Sequence, residues 1–114
     1  MNANVTMTVR SANTTTSVID IKGEINAQAE ATLMEAYTQA TAHGEKTLVL
    51  NFNGLEYMNS SGIGLLVTLL IRANRQKQRL LAFGLSEHYS QIFELTRLNE
   101  AIAIFPSEAS ALAG

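Results

Sequence analysis

The stretch from Thr47 to Arg75 constrains the fold more than any other part of the chain. Thr47 to Phe52 reads TLVLNF, a short and almost continuously apolar run, as expected of a strand covered on both faces. Ser60 to about Arg75 follows, with Ile63, Leu66, Val67, Leu70 and Ile71 on one side of a helix. A buried strand leading into an amphipathic helix is half of a strand–helix–strand crossover, and crossovers build parallel sheets.

The flanking segments extend that pattern. Val5, Met7 and Val9 alternate with Thr6, Thr8 and Arg10, the period of a half-buried strand. Asn13 and the threonines after it make a turn, and Val18 to Ile25 reads as a second strand. From Gln28 to His43 the spacing of Ala29, Leu33, Ala36, Tyr37 and Ala40 is helical, with Gly44 as its stop. Leu80 to Leu85 is another strand, and Ser86 and Glu87 cap a third helix that runs to about Leu98. Ala101 to Phe105 is a last strand, broken by Pro106, and Ser107 caps a terminal helix ending near Ala113. The predicted order is β-β-α-β-α-β-α-β-α: a mixed, mainly parallel sheet of about five strands packed with about four helices. The two leading strands form its antiparallel or edge part. With neither a repeat nor a composition break, residues 1–114 read as a single domain.

Composition narrows the function. Hydrophobic residues make up 46% and charged ones 16%, enough to bury a core. A formal net charge of −2 gives no basic footprint for direct nucleic-acid binding. The chain has no cysteine, so disulfides and thiolate metal sites are out, and a reducing compartment fits. The N-terminus lacks the apolar core of a signal peptide. The longest mostly apolar run, Ile63 to Ile71, falls well short of the roughly 20 residues of a membrane span. These features predict a cytoplasmic protein without a membrane partner.

Sites in parallel sheets lie past the carboxyl ends of strands, which directs attention to the turn Asn53 to Leu66, NGLEYMNSSGIGLL. Asn59, Ser60 and Ser61 open the second helix, where backbone N–H groups lack intrahelical partners, so one of the three is its N-cap. A phosphate on a hydroxyl there would meet free N–H donors and the positive end of the helix dipole. Gly62 and Gly64 clear side chains from the first turn, at a cost of about 1 kcal/mol each relative to alanine, so another backbone or a phosphate can come close, or the helix can simply pack tightly on the sheet. On these residues alone an ordinary capped helix start and a modification site both stand.

The segment LVLNFNGLEYMNSSGIGLLVTLL resembles the signature of STAS domains, in particular bacterial anti-sigma-factor antagonists. In these an apolar strand leads to an Asp-Ser-(Ser/Thr)-Gly-(Leu/Ile)-Gly turn that opens a helix. IDIKGEINAQ is similar to the family's Gly-x-Leu-Asp motif, and the segment from Leu80 to Leu112 to its closing strand, helix, strand and helix. The resemblance implies a STAS fold and, at Ser60, the phosphoacceptor, with Ser61 as the hydroxyl residue beside it. Asn26, Asn59, Ser61, Gly62, Ile63, Gly64 and Leu65 would then shape the partner site. Asn59, Asn26 and Asn51 stand where the family has or often has aspartate, and each replaces a charge with a neutral near-isostere.

The implied mechanism is partner switching. The unphosphorylated protein binds an anti-sigma factor with serine kinase activity and frees the sigma factor; phosphorylation of the serine ends binding, and a serine phosphatase resets the cycle. The alternative is a constitutive, unphosphorylated binding subunit of a larger assembly, a stressosome-like scaffold or a transport complex, with Ser60 only a cap.

Neither reading makes the chain an enzyme, and neither needs a cofactor. A hydrolase nucleophile elbow requires glycine two residues either side of the serine, but Met58 and Asn59 occupy the positions two before Ser60 and Ser61. Gly62 and Gly64 lack the third glycine of a dinucleotide loop, and no phosphate-loop lysine follows. Leu65 and Leu69 fall opposite the predicted core stripe; with Ile63 they form a partner patch, or else the helix is buried widely. Arg72, Arg75, Lys77 and Arg79 read as a solvated helix end or as a dock for an acidic partner, and His43 and His88 as surface histidines.

Overall fold

The computed structural model describes residues 4–113; Met1–Ala3, at the head of the stretch read for a leader, and Gly114 lie outside the described residues. Five strands form one sheet in sequential order: β1 (Val5–Asn13), β2 (Thr16–Ile25), β3 (Thr47–Met58), β4 (Arg79–Phe83) and β5 (Ala103–Phe105). β1 runs antiparallel to β2 at the edge, and the other three pairings are parallel. The helices are α1 (Glu30–Ala40), α2 (Ser60–Arg75), α3 (Glu87–Leu95) and α4 (Glu108–Ala113). This is the mixed, mainly parallel five-stranded sheet with four helices that the alternation predicts.

Sequential order has a consequence. Right-handed crossovers that all step the same way across a sheet lay their helices on one face. That face carries the larger core: Ile19, Ile21, Leu48, Leu50 and Phe52 from the strands pack with Leu33, Leu66, Leu69 and Phe93 from α1, α2 and α3. Phe52 and Phe93 meet edge to face, with centroids 6.1 Å apart. The other face has only α4, whose Ala111 packs with Val18, Val49, Leu81 and Phe83. Because the order never reverses, the sheet has no topological switch point, the feature that opens a ligand crevice in doubly wound folds.

Several boundaries differ from the sequence reading. β3 does not stop at Phe52 but continues to Met58, so the expected turn from Asn53 up to the helix start is strand except for Asn59. This extension still pairs with β2, from Gly54 opposite Lys22 to Met58 opposite Ile25, with one irregularity in register just before Gly54 and a second between Leu55 and Tyr57. At Gly54 a Cβ would lie 2.8 Å from the Ile21 carbonyl oxygen, so glycine is what lets the strands stay close. The first helix is shorter than Gln28–His43: Ala27–Ala29 is a single 3-10 turn before α1, which ends at Ala40. α3 ends at Leu95, and Leu98 belongs to a second 3-10 turn, Leu98–Glu100, entered through a left-handed Arg97.

The core stripe of α2 is also not the one expected. Gly62, Leu66, Leu69 and Ala73 are buried, whereas Val67 is 37% exposed and Ile71 49%. Nearly every position from Ile63 to Ile71 is apolar, so hydrophobicity alone does not fix the rotation of the helix. The small residues do, because Gly62 and Ala73 mark the line along which it approaches the sheet closely.

Candidate functional site

The site forms where β2 and β3 end side by side, with Ile25 and Met58 in register. Asn26 follows one strand and Asn59 the other. Each turns out of the sheet in extended backbone and caps what comes next. The Asn26 Oδ1 accepts the Gln28 N–H at 2.9 Å, and the Asn59 Oδ1 accepts the Gly62 N–H at 2.9 Å. The Asn59 N–H donates to the Ile25 carbonyl at 3.3 Å, tying the start of α2 to the end of β2.

Of the three residues that could cap α2, Asn59 does so, which overturns the reading of Ser60 as only a cap. Ser60 and Ser61 are exposed, and among the described residues neither hydroxyl has a hydrogen-bond partner. Their backbone N–H groups belong to the first turn, where no intrahelical acceptor is within reach. No charged side chain lies between Tyr57 and Leu66, so a phosphate here would be the local anion facing an uncompensated helix terminus.

The two glycines differ in environment. At Gly62 a Cβ would sit 2.2 Å from the Ile25 carbonyl oxygen and 2.8 Å from the Met58 Cγ. Gly62 therefore seats the helix on the sheet: of the two uses open to a glycine here, close packing and room for a partner, it serves the first. At Gly64 a Cβ would meet nothing within 4 Å. With a helical advance of 100° per residue, Ser60, Gly64, Val67 and Ile71 lie along one outward stripe, opposite the buried line. Ile63 and Leu65 flank this stripe half-buried against the core, and Leu69 is wholly buried.

Tyr89 is a residue that sequence reading missed. It is buried on α3, and its hydroxyl accepts the Met58 N–H at 2.8 Å, which holds the chain just before the helix start. No spacing rule links the two across 31 residues. Asn51, next to the end of the predicted strand Thr47–Phe52, is not at a strand end. It lies within β3, on the sheet face opposite α2, and its amide donates to Asp20 Oδ1 at 2.7 Å. Asp20 in turn receives two bonds from Arg10, which also grips Glu108 of α4. The Arg10 guanidinium holds the Asp20 carboxyl below its usual range against the opposing effect of burial, with the Asn51 amide adding to it. It lowers Glu108 likewise.

His43 is exposed, as expected of a surface histidine, and its Nδ1 lies 3.8 Å from the Glu45 carboxylate. Among the described residues no group of three His, Asp or Glu side chains could hold a metal, and no helix is long and apolar enough to cross a membrane.

Comparison with known proteins places this geometry. The model of the STAS domain matches residues 6–111. The anti-sigma-B factor antagonist of Staphylococcus aureus is 27% identical over 86 residues, covering 75% of this chain and 80% of the relative. The crystal structure of an anti-sigma factor antagonist from Mycobacterium paratuberculosis aligns with a TM-score of 0.80 at 20% identity, over 99% of this chain and 97% of that one. The Bacillus cell fate determinant SpoIIAA in its phosphorylated form aligns with a TM-score of 0.71 at 22% identity, over 94% of this chain and 96% of that one.

Proposed function

The chain belongs to the STAS domain family, and from that premise we propose that it is an anti-sigma-factor antagonist whose binding state is set at Ser60. Residues 1–114 act as one cytoplasmic STAS unit without catalytic turnover. The unphosphorylated protein binds an anti-sigma factor with serine kinase activity and so releases a sigma factor. Transfer of a phosphate to the Ser60 hydroxyl ends that contact, and a serine phosphatase restores it.

The observation that carries this reading is the division of labour at the start of α2. Asn59 caps the helix, so the Ser60 hydroxyl has no structural task, and it heads an outward stripe with an open Gly64 and the exposed apolar Val67 and Ile71. A partner covering that stripe would desolvate Ser60 with it. A phosphate adds about −1.5 to −2 charges at neutral pH, which is strongly unfavourable in such a contact. A loss of about 3 kcal/mol would weaken binding over a hundredfold.

The two neutral caps support a second reading. With Asn26 and Asn59 in place of carboxylates, no acid stands beside the acceptor to orient a kinase complex, as suits a constitutive subunit of a larger assembly.

One experiment separates the two. The protein is incubated with its cognate kinase and ATP, and phosphate is located by intact mass and peptide mapping. The switch predicts a single modification at Ser60, retained binding for Ser60→Ala and weakened binding for Ser60→Asp. Absence of phosphate together with wild-type binding by Ser60→Asp leaves the constitutive subunit.

A further inference from the structure

The far end of α2 carries a feature that the Ser60 reading does not use. A cleft of about 430 Å³ opens between the C-terminal ends of α1 and α2. Its walls include Tyr37, Thr41, Lys46, Arg72, Arg75 and Gln78. Three of these are cations and none is an acid. Glu45, adjacent in sequence, is turned back on its own loop, where its carboxylate accepts the His43 N–H at 2.9 Å.

We propose that this cleft is a binding site for a compact phosphorylated polyanion of pyrophosphate or bisphosphate type.

Cations at helix C-termini have an ordinary explanation, since they offset the helix dipole, so the charges must be counted. Two helix C-termini contribute roughly half a negative charge each. Against the three cations this leaves a net of about +2. Only Lys46 reaches a terminal carbonyl, that of Gln76, at a long 3.4 Å. Among the described residues neither Arg72 nor Arg75 has a carboxylate partner. Guanidinium forks are the side chains best matched to phosphate oxygens, and two of them one helical turn apart present such forks together.

Neutral donors complete the lining. The Tyr37 hydroxyl donates to Gln78 Oε1 at 2.6 Å, which fixes the orientation of the Gln78 amide and leaves its NH2 without a partner among the described residues. Arg72 lines the cleft together with Tyr37 and Gln78, and its charge opposes the rise that burial imposes on the Tyr37 hydroxyl's pKa. The volume falls within the usual range for small-molecule sites, about 300 to 1,000 Å³. Twelve residues separate Ser60 from Arg72, about 18 Å along the helix, so the site stands apart from the proposed phosphoacceptor.

The test uses the full chain and calorimetric titration at low, matched ionic strength, with pyrophosphate, a sugar bisphosphate and inorganic phosphate as probes. Pyrophosphate or the bisphosphate is expected to bind more tightly than about 1 mM, and inorganic phosphate at least several-fold more weakly. Arg72→Gln/Arg75→Gln should weaken the tighter ligand by tenfold or more. Lys77→Gln/Arg79→Gln removes the same charge outside the cleft and should weaken it less than about twofold. Circular dichroism confirms that both variants fold. Amide resonances of residues 37, 41, 46, 72, 75 and 78 should shift with ligand. Failure of both polyanions to bind at 10-fold above that concentration overturns the proposal. Equal losses in the two double variants overturn it as well, since the attraction would then be general surface charge.

Discussion

Gly62 and Gly64 sit two residues apart on α2, and the structure assigns the same substitution opposite signs at the two positions. Replacing glycine by alanine inside a helix gains about 0.8–1.0 kcal/mol from propensity. At Gly64 the added methyl meets nothing within 4 Å, so the whole gain should appear. For a chain of this size that is a rise in Tm of about 4 °C. At Gly62 the methyl would lie 2.2 Å from the Ile25 carbonyl oxygen, over 1 Å inside an ordinary contact, and that oxygen also accepts the Asn59 N–H. The helix must lift from the sheet, and overpacking of this kind costs about 1–3 kcal/mol or more. A 2.2 Å approach to backbone belongs at the upper end of that range, so after the propensity gain Gly62→Ala should be destabilised by about 2 kcal/mol. Denaturant unfolding with unchanged m-values, checked by thermal scans, reads both. A Gly64→Ala protein no more stable than wild type, or a Gly62→Ala protein as stable as wild type, would refute the placement of α2. Partner binding adds a second arm. If the outward stripe is the docking face, Gly64→Ala should fold better and bind its anti-sigma factor less tightly.

Three further outcomes follow from the same neighbourhood and from the opposite face. Tyr89→Phe strands the buried Met58 N–H and should cost about 1–3 kcal/mol by chemical denaturation, far more than its loss of one exposed-type oxygen would suggest. Asn59→Ala should lose about 1 kcal/mol of stability as a removed cap, whereas Asn59→Asp should match wild type or exceed it by under about 1 kcal/mol, and should speed phosphorylation of Ser60 if a carboxylate helps to orient the acceptor. Arg10 lowers the folded-state pKa of Asp20 and Glu108, so the stability it contributes is present above the ordinary carboxylate pKa of about 4 and is lost as pH falls through the lowered values. In Arg10→Gln the fall in Tm below about pH 4 should be shallower, and an equally steep acid limb would count against the Arg10 bridge.

The alternation of strands and helices was legible because periodicity changes from element to element, and the start of α2 was legible because Asn59, Ser60 and Ser61 announce a helix N-terminus. Two things were hidden for identifiable reasons. The rotation of α2 was ambiguous because apolar residues occur on all sides between Ile63 and Ile71; room for the backbone, visible only in three dimensions, selects Gly62, Leu66, Leu69 and Ala73 as the inner line. The length of β3 was hidden because NGLEY has the composition of a turn, yet its backbone groups find partners along β2. Tyr89 and the Arg72–Arg75 cleft depend on long-range approach between elements, and local pattern carries no information about either.

The three asparagines at positions where the sequence resemblance implies aspartate differ in what their side chains do. At Asn26 and Asn59 the side chain works through its oxygen, which accepts a backbone N–H, and a carboxylate can do the same. These two positions exchange charge for neutrality with the cap intact, so the local electrostatics of Ser60 can vary without disturbing the fold. Asn51 works through both ends: its oxygen accepts the Asn53 N–H at 3.0 Å, as a carboxylate could, but its nitrogen has a task as well. It donates to Asp20 at 2.7 Å on the sheet face opposite α2, and a carboxylate has nothing to donate. An aspartate there would bring two carboxylates to hydrogen-bonding distance, where both cannot remain ionised without cost. It would also add a charge to a cluster in which Arg10 already faces the two acids Asp20 and Glu108. Neutrality at Asn51 is therefore tied to Asp20 and to the packing of α4, while neutrality at Asn26 and Asn59 bears on how a kinase would meet Ser60.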